Sequence, residues 1–319
     1  MSKIVMHPLH ETSPAPLPWR RMLPAIGMLL ALSVLWGSSY TFIKIAVETI
    51  PPLTVAAVRV VLAALLLTLF VHWRGLQFPT SSATWRALLV QACFNSILPF
   101  SLIAWGEVHI DSGLAGILNA TPPIFVFIFT YFWTRHEPAS LRQLIGVISG
   151  IGGVVLIIGT DTLAGLGDQT LAQLAITAAS VCYAVAAIYG RRFADLHPMI
   201  PAASTLICAC VVLVPASLLV EQPWHAAPSA ASVAALIVLA GFSTALALIL
   251  YFRILNALGS MGVASNSYLR AGVSVLLGVL FLGEHLSLAA AGGLSLIVVG
   301  VVAIIGGPAR TLLQRRNGR

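Results

Sequence analysis

Of the 319 residues, 59% are hydrophobic and only 8% are charged, and the formal net charge is +7. A soluble domain is about one quarter charged, so this composition describes an integral membrane protein. Nucleic acid is excluded as the reason for the positive charge, because the cations are scattered among apolar runs rather than gathered on one face.

Residues 1–23 form a polar tail with Pro14, Pro16 and Pro18. The apolar run that follows is too long for the core of a signal peptide and reads as a retained transmembrane helix. A bilayer core about 30 Å thick needs about 20 apolar helical residues. On that rule the spans fall near 24–47, 52–73, 85–106, 110–133, 141–159, 172–190, 199–220, 232–252, 261–282 and 287–307. Pro51, Pro52, Pro79, Pro138, Pro198, Pro223 and Pro228 lie between them. Helices are required because lipid leaves an unpaired backbone group unsatisfied. Cys93, Cys182, Cys208 and Cys210 sit inside apolar runs without a Cys-x-x-Cys pair or a His or carboxylate cluster, so packing is expected of them and no metal. No cofactor is expected either.

The stretch 259–306 repeats 112–159 at a constant offset of 147 residues. Asn119 falls on Asn266, Glu137 on Glu284, Ser140 on Ser287, Gly146 on Gly293 and Gly153 on Gly300. The same offset places Trp36 on Tyr183, Lys44 on Arg191 and Pro51 on Pro198. Repeats carry architecture. The chain therefore divides into a first half at 24–159, a linker at 160–171, a second half at 172–307 and a basic tail at 308–319. Five spans per half is odd, so the second half enters the membrane upside down. The expected fold is all-α, with ten transmembrane helices as two inverted five-helix repeats around a central cavity near the midplane.

Lys and Arg set the orientation. With the amino terminus in the cytoplasm, 14 of the 17 cations fall on the inside and the other three, Lys44, Arg59 and Arg270, fall within spans. Glu107, Asp111, Asp161 and Glu221 fall outside. Both termini are thus expected in the cytoplasm and the chain in the inner (plasma) membrane.

Several motifs resemble those of the drug/metabolite transporter superfamily, built from two EamA-type domains. They are Trp36-Gly37-Ser38-Ser39, the Pro51-Pro52 turn with Arg59 after it, Ala115-Gly116-Ile117-Leu118 followed by Thr121-Pro122-Pro123, and Leu282-Gly283-Glu284-His285-Leu286. The resemblance covers nearly the whole chain beyond the tails. It implies a ten-helix carrier with a central cavity, often exporting amino acids or other small metabolites. One departure stands out. Where the family commonly has Tyr-Leu-x-Pro, this chain reads Tyr268-Leu269-Arg270-Ala271.

Arg270 is the sharpest signal, about nine residues into its span and so roughly 14 Å deep. An arginine there is costly and calls for a wet cavity or a partner. A substrate carboxylate or phosphate suits its two parallel donors; a structural arginine on backbone carbonyls is the competing reading. Asn266 shares its helix face, four residues earlier. Asn119 stands four residues before Pro123, and Pro122-Pro123 break a helix in mid-span. Gln91, Asn95 and Pro99 recur every four residues as a polar stripe. Trp36, Tyr40 and Tyr183 offer aromatic walls. Lys44, Glu48 and Arg59 form either an outer gate or an ion pair with snorkelling side chains. Glu107, His109 and Asp111 read as solvated loop residues, with proton passage as the competing reading, and helix capping near Ser140 and Ser287 accounts for Glu137 and Glu284.

The expected function is secondary transport by alternating access, with a small-molecule substrate (an amino acid or similar metabolite), the lipid bilayer as surroundings, and a monomer or homodimer as the unit. A facilitative importer or exchanger is the alternative within transport. A membrane-embedded enzyme is the alternative from another class, and no zinc, aspartate-pair or Ser/His motif supports it. No mid-span carboxylate is visible in the sequence, so uniport stays open beside proton coupling.

Overall fold

A computed structural model describes residues 19–110, 112–134, 140–158, 169–273 and 288–306. Asp111, Glu137, Asp161, Glu284 and Ser287 lie outside the described residues. Every regular element among the described residues is helical. The first half holds α1 (Trp19–Gly37), α2 (Ser39–Val47), α3 (Pro52–Trp73), α4 (Ser82–Ala92), α5 (Leu98–His109), α6 (Ser112–Leu118), α7 (Pro122–Phe129) and α8 (Leu141–Ile158). The second holds α9 (Thr170–Tyr189), α10 (Met199–Val220), α11 (Ala230–Ala240), α12 (Ala247–Ala264), α13 (266–273) and α14 (Leu288–Ile305). Among the described residues, seven helical runs, some of them interrupted, are long and apolar enough to cross a bilayer, and Leu141–Ile157 and Ala291–Ile305 are shorter apolar helices.

The helix α3 shows why these segments belong in lipid. It buries Val60, Ala63, Ala64, Leu67 and Val71 while exposing Leu65, Leu69, Phe70 and Trp73. A helix apolar on every side has no face for water. Its buried alanines pack along α10, where Ala202, Ala203 and Ala209 are also buried, and small residues let two such helices approach. Pro52 opens α3, where its missing N–H costs nothing. The next two amides, of Leu53 and Thr54, donate to the Glu221 carboxylate at 2.8 and 2.6 Å. A negative charge at a helix start is favourable, and here it comes from the end of α10. The α8 start carries its own cap: Ser140 N donates to Gln143 Oε1 (3.0 Å) and Gln143 N donates to Ser140 Oγ (3.2 Å), a reciprocal pair.

Several spans depart from simple rods. The third runs through a π turn at Cys93–Ile97 and continues to His109, beyond the expected end at 106. A π turn also forms at Thr130–Thr134 after α7, and another, Gly241–Leu246, lies between α11 and α12, within one residue of the repeat offset from the first. In α12 the backbone at Gly259 turns left-handed (φ 74°), a conformation that glycine alone adopts freely, and this separates the eighth and ninth expected spans.

The helices α8 and α14 meet glycine on glycine. A Cβ at Gly153 would lie 2.6 Å from the Gly293 carbonyl, and one at Gly146 would lie 2.8 Å from the Gly300 carbonyl. The repeat offset exchanges these two contacts, turning Gly146–Gly300 into Gly293–Gly153. Gly152, next door, faces open space. Gly153→Ala is therefore expected to lose about 1–3 kcal/mol by overpacking, read as a lower melting temperature in detergent. Gly152→Ala gains helix propensity of up to about 1 kcal/mol and should melt no lower than the parent.

Candidate functional site

The breaks in the helices assemble the site. The fourth span stops at Leu118 and restarts at Pro122, which sits at the first position of α7. The carbonyls freed by this break are all used. Leu118 O accepts from Ser180 Oγ at 3.0 Å and Thr121 Oγ1 at 2.7 Å. Asn119 O accepts from Arg270 Nη2 at 3.0 Å, and Ala120 O from Ser267 Oγ at 3.2 Å. A break in a membrane helix is tolerated on this condition, that neighbours satisfy the backbone. The ninth span is interrupted at Ser265, one repeat offset after Leu118.

Around these breaks lies a cavity of about 620 Å³, counted out to its open mouth. Trp36, Tyr40, Asn119, Tyr183, Asn266 and Arg270 line it, with Pro122 and Arg59. The half-buried Arg270 also donates from Nη1 to the Tyr40 hydroxyl at 3.0 Å. That hydroxyl accepts as well from Asn119 Nδ2. The guanidinium carbon lies 5.9 Å from the Trp36 ring centre and 5.8 Å from that of Tyr40, at the outer range of cation–π attraction. Asn266 donates from Nδ2 to Ser33 Oγ (3.2 Å), and its Oδ1 has no partner among the described residues.

Arg59 is only 5% exposed and sits against the cavity rather than in an outward ion pair. Its Nε donates to Thr244 Oγ1 (2.5 Å), its Nη2 to the Ser243 carbonyl (3.2 Å), and its carbon stacks 3.9 Å over Phe100. The Ser243 carbonyl, within the π turn Gly241–Leu246, also accepts from Trp36 Nε1 at 3.1 Å. The extra residue of a π turn frees such acceptors. Lys44 and Glu48 are exposed, and Lys44 Nζ donates to the Glu107 carbonyl (2.8 Å).

The remaining candidates lie off the cavity wall. Pro123 is buried behind Pro122. Gln91 and Asn95 are fully buried; Gln91 Nε2 donates to Ala186 O across to α9 (3.2 Å), and Asn95 Oδ1 accepts from Ser96. The π turn at Cys93–Ile97 rotates the helix between them and Pro99, so the four-residue stripe does not hold; Phe100 and Ile103 reach the cavity instead. Sequence reasoning also passed over Tyr251, whose ring lies 5.9 Å from that of Trp36, and the Ser243-Thr244 pair. A hydroxyl pair inside an apolar run was the available signal.

Glu107 departs from its expected place. It belongs to α5, is fully buried, and neither carboxylate oxygen has a hydrogen-bond partner among the described residues. The expected third span, 85–106, stops one residue short of it.

Thr244→Val should destabilise the protein by about 1–3 kcal/mol, because it leaves a buried guanidinium donor unmet. Ser243→Ala removes only a hydroxyl that bonds nothing among the described residues and keeps the carbonyl that Arg59 uses. Melting curves of the two variants in detergent should therefore separate clearly.

The family model described as the EamA-like transporter family matches the chain twice, over residues 23–159 and 170–306. "Uncharacterized inner membrane transporter YedA" of Escherichia coli (strain K12) is 30% identical over 288 residues, covering 90% of this chain and 92% of that protein. "Protein PagO" of Salmonella typhimurium is 26% identical over 71% of this chain and 75% of its own length. "Uncharacterized transporter YvbV" of Bacillus subtilis is 25% identical over 87% and 90%. A crystal structure shares the fold with a TM-score of 0.71 over 92% of this chain and 99% of the other, at 19% identity. With both halves matched and a relative aligned along nearly its whole length, the chain belongs to the EamA-like transporter family.

Proposed function

We propose that the chain is a secondary carrier that exports amino acids or closely related metabolites across the inner membrane by alternating access. The observation that carries this reading is the chemistry of the cavity wall. Among the described residues, its lining holds two guanidiniums, Arg59 and Arg270, and no carboxylate. Both arginines rest on neutral acceptors. A guanidinium has five N–H donors, so Arg270 keeps donors for a carboxylate. One turn away, Asn266 Oδ1 offers an acceptor for an ammonium group. Trp36, Tyr40, Tyr183 and Tyr251 supply the apolar wall that small-molecule sites commonly use. Acid, amine and side chain each find a complementary surface in one place.

The reading includes ten spans in two inverted halves, with both termini in the cytoplasm. The repeat offset, the exchange of the glycine contacts between α8 and α14, and the recurrence of the π turn in the third and eighth spans support it. An odd span count per half supports opposite insertion, and the Lys and Arg distribution supports the orientation. Transport proceeds by rocking of the halves about a fixed central site.

The test is uptake of a panel of labelled amino acids into proteoliposomes. Wild type should show saturable flux of one or more of them. Arg270→Ala should lower that flux about 10- to 100-fold, the range for losing a hydrogen-bonded charge worth about 1.5–3 kcal/mol. Arg270→Lys should recover only part, because an ammonium lacks the paired donors. Wild-type flux in a folded Arg270→Ala protein would return the arginine to a structural role.

A further inference from the structure

We propose that Glu107 is a proton-binding site of this carrier, through which substrate movement is coupled to the proton gradient. The proposal rests on the carrier reading above. It starts from three observations that the cavity does not use.

The first is burial without compensation. The Glu107 side chain is fully enclosed, and both carboxylate oxygens lack a hydrogen-bond partner among the described residues. Buried carboxylates in folded proteins are normally paired or hydrogen-bonded. At the preceding residue, Gly106, a Cβ would lie 2.8 Å from Ile176, so α5 and α9 pack closely next to Glu107.

The second is the company it keeps. On α2 the ionisable neighbours are Lys44 and Tyr40, and on α3 the neighbour is Arg59. The α9 residue Tyr183 faces Arg59 and Tyr40. On its own helix His109 is exposed, with its ring set against Trp105. Among these, the cations that act on Glu107 are Lys44 and Arg59. Neither is hydrogen-bonded to its carboxylate: Lys44 bonds the backbone carbonyl and Arg59 bonds Thr244 and Ser243. Burial and nearby cations act in opposite senses on the charge of such a carboxyl. A small shift of either cation therefore decides whether a proton is taken up or let go.

The third is position. Phe100 and Ile103 of α5 line the cavity, and Glu107 lies one turn beyond Ile103 on the same helix. Arg59 contacts the Phe100 ring, lines the cavity and acts on Glu107, so it connects substrate site and carboxyl directly. Lys44 is exposed and bonds the backbone carbonyl of Glu107, which holds an exposed cation beside the carboxyl without bonding it. In the cycle, the carboxylate takes a proton from water on one side, forming a neutral O–H. It returns that proton to water on the other side when substrate reorders Arg59. One proton then moves against one substrate molecule.

Two measurements on purified protein test this. The first is a pH-titrated infrared difference spectrum without any substrate. Wild type should show a protonated-carboxyl C=O band that grows as pH falls, and Glu107→Gln should lack it. Glu107→Asp keeps a carboxyl and should shift the band, so the assignment does not depend on one variant. The second is amino acid flux in proteoliposomes, as the ratio of flux under an imposed pH gradient to flux at equal pH. The ratio should exceed one in wild type and fall to one in Glu107→Gln. Asp195→Asn, on the exposed turn after α9, should keep both the band and the ratio. A wild type with no titrating band absent from Glu107→Gln, or a pH-driven ratio that persists in that variant, overturns the proposal. Wild-type vesicles that carry no amino acid overturn the substrate reading instead, and the infrared band still decides whether Glu107 holds a proton.

Discussion

Two guanidiniums in a membrane protein, Arg59 buried and Arg270 half-buried, each without a bonded carboxylate among the described residues, set the terms for the rest of the structure. Each must find several acceptors in a place where water is scarce and ordinary helix carbonyls are already used. The chain meets this demand by breaking its own helices. The gap between α6 and α7 releases the Asn119 carbonyl to Arg270, and the π turn before α12 presents the Ser243 carbonyl and the Thr244 hydroxyl to Arg59. The irregular backbone and the buried cations are two sides of one arrangement. Either alone would be unsatisfied, and together they line a cavity with positive charge held by neutral groups.

The rigid parts of the molecule make these breaks tolerable. Helices α3 and α10 pack through alanines, and α8 and α14 pack through paired glycines. Side chains small enough to bring backbones together leave few alternative packings, because interiors are filled at near crystal density. The Tyr268 ring lies against Gly150, and its hydroxyl donates to the Val147 carbonyl (3.2 Å), which ties the residues beside Arg270 to α8. Arg270 is thus mounted next to a helix that packs glycine on glycine.

Much of this was readable from the sequence, for identifiable reasons. Apolar length marks a span because the bilayer sets a length scale, and a 147-residue offset shows in prolines, asparagines and glycines because those residues have backbone consequences. Trp36, Tyr40, Asn119, Asn266 and Arg270 stood out as polar or aromatic groups where lipid does not favour them, and the structure brings them together. The π turns were invisible, because one extra residue in a helix leaves no compositional mark. They moved Gln91 and Asn95 off the cavity wall and brought Phe100 and Ile103 onto it. Glu107 was misread for a related reason: a charge near the end of an apolar run looks like the start of a loop, and only tertiary packing buries it.

The hydrogen bonds at the cavity share one property that bears on mechanism. Arg270, from the second half, bonds Tyr40 and Asn119 of the first. Trp36 and Arg59, from the first half, bond Ser243 and Thr244 of the second. Each of these bonds joins the two halves, which on the proposed reading move against each other. On that reading, a substrate carboxylate that recruits the Arg270 guanidinium would compete directly with the Tyr40 hydroxyl and the Asn119 carbonyl. Its binding energy is therefore delivered to the links that hold the halves in one arrangement. A ligand shifts a conformational equilibrium only by its differential contacts with the two states. In this site the same donors serve the ligand and the seam, so those differential contacts are built into the binding geometry.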